Sequence, residues 1–93
     1  MKRISKERAK KLISSGAILV DMRSPVAFRD GHVAGAVNLP LKNFTNMLMK
    51  TDRKKSIIIY GDTYEDRELS QGFNYAEQLG FKDVYATDYG SLK

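Results

Sequence analysis

The densest group of chemically useful side chains is one polar stretch, in which Asp62, Thr63, Tyr64, Glu65, Asp66 and Arg67 follow directly on Gly61. An arginine with loop amides could hold a small anion. The carboxylates could hold a hard cation, or the loop could dock a basic partner. Charge argues against the anion. A like charge about 5 Å from a bound anion costs roughly 3 kcal/mol at an effective dielectric near 20; exposure and salt shrink that cost without reversing it. The cation fares no better, because the spacing of Asp62, Glu65 and Asp66 matches no known cation loop. A plainer role places Asp66 at the N-cap of a helix, with Glu65 and Glu68 beside its positive end.

Other chemistry is excluded by composition. Cysteine is absent, so there is no disulfide, no thiolate nucleophile and no soft metal ligand. With His32 as the sole histidine, neither a metal site nor a cofactor is expected. No motif places a nucleophile beside His32. Tyr60 and Tyr64 suit a strand end and a loop tip, where tyrosines are common.

The elements that must position these residues are readable from spacing. Ser5 caps a predicted helix over residues 6–15, Ile4 stands as a staple against Ala9, and Gly16 is its stop. Residues 17–20 form an apolar run too short for a helix, read as a strand buried on both faces. Ser24 and Pro25 start a short helix through Phe28. Residues 36–39 return as a strand, and Phe44, Met47 and Leu48 have helical spacing within residues 42–50. Residues 56–60 are the clearest strand. Leu69, Phe73, Ala76 and Leu79 line one helix face closed by Gly80, and residues 83–86 are the last strand. Alternating strands and helices imply a parallel sheet covered on both faces. Its ligand crevice lies beyond the carboxyl ends of the strands, at the segments after Val20 and Tyr60.

Ninety-three residues make one domain, residues 1–93. The net charge of +5 is concentrated, since Lys2, Arg3, Lys6, Arg8, Lys10 and Lys11 lie within the first eleven positions. A second basic cluster is Lys50, Arg53, Lys54 and Lys55. Neither is interleaved with aromatic residues as a base-stacking surface requires, so no specific nucleic-acid partner is expected. No apolar stretch reaches membrane-spanning length, and none of signal-peptide length follows Met1. A cytoplasmic protein with no membrane partner is the expectation.

Taken in order, the motifs resemble the rhodanese homology domain. Leu19-Val20-Asp21-Met22-Arg23-Ser24-Pro25 is similar to that family's strand, D-x-R and helix-start signature. Gly31-His32-Val33-Ala34-Gly35-Ala36-Val37-Asn38-Leu39-Pro40 is similar to its G-H-[IV]-x-G-A-x-N-[IL]-P signature. Residues 57–60 look like the strand that delivers the catalytic cysteine. Leu79-Gly80-Phe81, Val84-Tyr85 and Asp88-Tyr89-Gly90 resemble the closing signature. The resemblance implies a three-layer α/β/α fold with a five-stranded parallel sheet, strand order 3-2-4-5-1. It implies a structural His32 bonded to backbone, and Asp21 and Arg23 as a pair organising the rim. The resemblance implies a further helix after residues 88–90, so the expectation is either that this helix is absent or that the domain is trimmed at its C-terminus.

The family's chemistry moves sulfane sulfur through a cysteine persulfide, and here the resemblance breaks. The cysteine position is Gly61, or Asp62 if the alignment slides by one. The related phosphatase chemistry needs the same cysteine. The expectation is therefore no catalytic residue and no enzyme, but a binding or regulatory module for an unidentified protein partner. The alternative is a noncovalent binder of a sulfur oxyanion, or of a persulfide-carrying partner, that assists sulfur transfer in trans.

Overall fold

The computed structural model describes residues 1–93. The Ser5 hydroxyl accepts the Arg8 N–H at 3.2 Å and opens α1, Lys6–Ser14. Gly16 ends it at φ 102°, a left-handed conformation that costs glycine little. β1 is Ile18–Asp21. α2, Pro25–Asp30, starts behind Ser24, whose hydroxyl accepts the Ala27 N–H at 3.2 Å. β2 is Val37–Asn38, α3 is Leu41–Met49 and β3 is Ile57–Gly61. α4 is Arg67–Gln78, β4 is Val84–Asp88 and α5 is the single turn Tyr89–Leu92.

The sheet is parallel, with four strands in the order β2-β1-β3-β4. The expected fifth strand is corrected to a single bridge, Arg3 to Ala86, with the Ala86 N–H donated to the Lys2 carbonyl at 2.9 Å. That bridge lies on the edge where the implied first strand belongs, so the order 3-2-4-5-1 survives with its first member reduced. Beyond Arg3 the ladder cannot lengthen, because Ser5 turns the chain into α1 two residues later. After β4, the chain makes the one turn of α5.

Side chains of β3 alternate between two cores, as the period of a strand requires. Ile57 and Ile59 join Val20, Phe44, Leu48, Leu69 and Phe73 beneath α3 and α4. Ile58 and Tyr60 face the other way, to Ile4, Ala9, Leu19, Tyr85 and Leu92 beneath α1 and α5. All five β3 residues are buried, which explains why this run reads as continuously apolar. No helix is long and apolar enough to cross a membrane.

Candidate functional site

The carboxyl ends of β1 and β3 meet through paired backbones, with Asp21 beside Tyr60 in register. At the end of β1, Asp21 is fully buried and its carboxylate is saturated with donors. Oδ1 accepts the Arg23 backbone N–H at 2.8 Å, and Oδ2 accepts Nη2 of Arg23 at 2.8 Å. Nη2 also donates to the Gly31 carbonyl at 2.6 Å. The guanidinium lies 4.0 Å from the Tyr89 ring centroid and 5.6 Å from that of Tyr60. The bond to Asp21 raises the Arg23 pKa above its ordinary value, with burial opposing. Asn38 completes the corner, since its Nδ2 donates to the carbonyls of Asp21 and Arg23 at 3.1 and 2.9 Å. The Tyr60 hydroxyl accepts the Val33 N–H at 3.1 Å. Burial pushes the phenol pKa above its ordinary value of 10.0.

At the end of β3 the arrangement is different. A Cβ built on Gly61 would stand 2.5 Å from Oδ2 of Asp66 and 3.3 Å from its Cγ, so Asp66 fills the space a side chain at 61 would need. Asp66 does stand at the N-cap position of α4, but its side chain makes no capping bond. It turns back instead, accepting the Asp62 N–H at 3.0 Å and approaching the Thr63 hydroxyl at 3.4 Å. The loop amide nearest the strand end therefore already holds an anion, and the anion is internal.

The remaining loop residues diverge. Asp62 is exposed and lies 3.6 Å from Nη1 of Arg23, which ties the two strand-end segments together. The Tyr64 hydroxyl donates to the Met1 carbonyl at 3.0 Å, with the Arg3 guanidinium 4.4 Å from its ring. Glu65 and Arg67 point to solvent, and Arg67 makes no ion pair. No group of three His, Asp or Glu side chains converges as a metal site would need. His32 stands apart from the loop, on a groove beside α1. Its Nδ1 donates to the Phe28 carbonyl at 2.8 Å and its ring stacks on Phe28 at 3.8 Å.

The sequence reasoning expected Asp21, Arg23 and residues 61–67 at one rim; in the structure Asp62 meets Arg23 there, while Tyr64 turns to Met1 and Glu65 and Arg67 to solvent. It missed three things: Asp66 in the space of residue 61, the Gly31 carbonyl as an Arg23 partner, and the Tyr89 ring over the guanidinium. Only the first had a signal, namely a glycine at a strand end followed by more carboxylates than a helix start needs.

The rhodanese-like domain matches residues 5–93. A thiosulfate sulfurtransferase GlpE of Pseudomonas syringae is 33% identical over 89 residues, covering 96% of this chain and 82% of that protein. The protein of the same name in Pseudomonas aeruginosa is 30% identical over 88 residues, covering 95% and 78%. The structure of the human single-domain sulfurtransferase TSTD1 superposes with a TM-score of 0.76 at 19% identity, covering all of this chain and 92% of the human one. An E. coli rhodanese with anions gives 0.71 at 21% identity, over 83% and 92%. Those two structures carry the fold alone.

The curated relatives correct one expectation. The reading that this chain is not an enzyme is overturned by proteins named thiosulfate sulfurtransferase that match nearly its whole length at about 30% identity. They point to a sulfurtransferase. The missing cysteine is only weak evidence against them. From its ordered strand-end motifs, its parallel sheet and its relatives, the chain belongs to the rhodanese-like domain family.

Proposed function

We propose that this chain serves sulfur transfer by docking, on the acidic surface of residues 61–67, a thiol-bearing protein that carries the sulfur. The observation behind this reading is Asp66 seated where a side chain on Gly61 would stand. A persulfide requires a cysteine sulfur, and this chain has none. The sulfane sulfur then stays on the partner. An acceptor attacks its outer sulfur, the sulfur–sulfur bond breaks and the partner leaves as thiolate. The chain's share is to hold and orient that partner.

Electrostatics favours a protein over a small sulfur oxyanion. The Asp62 amide is engaged by Asp66, and Arg23 is bound to Asp21 and Gly31. An incoming anion would meet Asp62, Glu65 and Asp66 with only Arg67 unpaired. A basic face finds the same three charges attractive. A photocrosslinking residue at Glu65 tests this in cells. The captured protein is expected to carry a reactive cysteine, and the purified chain to speed sulfur delivery from that protein's persulfide to cyanide. Asp62→Arg with Glu65→Arg should remove both effects. Capture only of proteins without cysteine, or acceleration that survives the charge reversal, defeats the proposal.

A further inference from the structure

On the face of the sheet opposite α3 and α4, a groove of about 600 Å³ runs between α1, the loop after α2 and α5. Its floor is apolar, with Ala9 and Leu92 buried and Ile13 and Val33 half-buried. Its rim carries Lys6, Lys10, Lys93 and His32, and no aspartate or glutamate side chain lines it. The N-terminal basic cluster explains what is left over here. Arg3 pairs with Asp88 at 2.8 Å, Arg8 bonds the Tyr85 hydroxyl at 3.3 Å, and Lys2 lies 5.0 Å from the Tyr85 ring centroid. Lys6 uses one donor on the Lys93 carbonyl at 3.0 Å, while Lys10 makes no bond at all. Lys93 also has an internal partner, its Nζ 5.4 Å from the Tyr89 ring centroid, so Lys10 is the groove lysine left without one.

From these observations we infer that the groove binds an acidic amphipathic helix of a partner protein, at a surface separate from residues 61–67 and independent of the role proposed for them. Spacing selects a helix. Ala9 and Ile13 form one i, i+4 stripe of α1, and Lys6 and Lys10 form a parallel stripe beside it, one turn apart. A helix laid along α1 sets leucine-like side chains on the first stripe and glutamates, also one turn apart, against the second.

The test is a titration of the whole chain with a synthetic helical peptide of about 15 residues, roughly four turns. The peptide has leucines on one face and glutamates flanking them, and a scrambled peptide of equal composition is the control. Fluorescence anisotropy gives affinity and amide shifts give location. Only the amphipathic peptide should bind, shifting residues 9, 13, 33 and 92, and binding should weaken as salt rises from about 50 to about 300 mM. Lys10→Glu should weaken it about tenfold, and Lys6→Glu with Lys10→Glu further, at unchanged melting temperature. Several outcomes overturn the inference: equal binding of the scrambled peptide, no effect of Lys10→Glu, shifts confined to residues 61–67, or no binding at all. So does Lys10-dependent self-association, which gives the groove to a second copy. Lys10-dependent adsorption to phosphatidylglycerol vesicles without peptide binding gives it to a membrane and equally overturns it.

Discussion

Two strand ends lie side by side in this protein, and each has an aspartate that grips a nearby backbone N–H. At β1, Asp21 takes the Arg23 amide at 2.8 Å; at β3, Asp66 takes the Asp62 amide at 3.0 Å. The first carboxylate is fully buried and backed by a guanidinium that is itself bound to Gly31 and stacked on Tyr89. The second is half-exposed, has no cation beside it, and occupies a space that exists only because residue 61 is glycine. The lesson is that similar bonds can hold very different responsibilities. One corner is structural, and the other is a seat whose tenant can be changed.

The sharpest way to break the comparison is to remove a charge from the buried corner. Asp21→Ala leaves Arg23 buried without its partner and should cost about 3–5 kcal/mol, read as a lowered urea midpoint at unchanged m. A cost below about 1 kcal/mol would mean that solvent reaches this pair as freely as it reaches Asp66.

Filling the seat should cost less. Gly61→Ala must expel the Asp66 carboxylate and lose its charged hydrogen bond to Asp62, about 1–3 kcal/mol. Asp66→Ala in the same chain should cost little more, because the bond it removes is already lost. The double-mutant cycle then reads a coupling of at least about 0.5 kcal/mol between the two positions. Additive single effects would show that Asp66 does not hold the space.

The same seat makes a chemical prediction of similar size. Gly61→Cys alone sets its sulfur against Asp66, where a neighbouring carboxylate disfavours the thiolate. Adding Asp66→Ala should raise thiosulfate-to-cyanide turnover about tenfold, or about 1.4 kcal/mol of barrier, over Gly61→Cys alone. Equal rates would mean that something other than Asp66 governs the seat.

Tyr60 joins the two corners and gives the smallest, pH-dependent effect. Its phenol pKa is raised in the fold, so above its ordinary value of 10.0 the unfolded chain releases a proton that the folded chain keeps. This contribution is whole below that pH and is lost as pH rises, by at most about 1.4 kcal/mol per unit. Urea midpoints from about pH 9 to about pH 11 should fall less steeply for Tyr60→Phe than for the parent. The lost bond from Val33 lowers both ends of the curve alike. Parallel curves would place the phenol in water.

Much of this was legible in the chain. Ser5, Ser24 and Gly16 mark their helix ends through local hydrogen bonds and backbone freedom, and residues 57–60 announce a doubly buried strand by composition. The placement of Asp21, Arg23 and Asp62 at one rim follows from the rule for strand ends. Asp66 shows where such reading stops. Its N-cap position is local and was readable, whereas its choice of the Asp62 amide over the helix depends on the space above Gly61.

The sequence by itself determined the alternation of strands and helices, the absence of a thiol and the charges of both candidate surfaces, because these are properties of residue type and spacing. Tertiary structure alone decided three other matters. It set the sheet at four strands, because the turn into α1 leaves Arg3 one bridge. It spent Arg3 and Arg8 on Asp88 and Tyr85 while leaving Lys10 of the groove available. It also put Asp66 into the place of a missing side chain. Each of these depends on which distant groups come within hydrogen-bonding distance, and only the folded chain sets those distances.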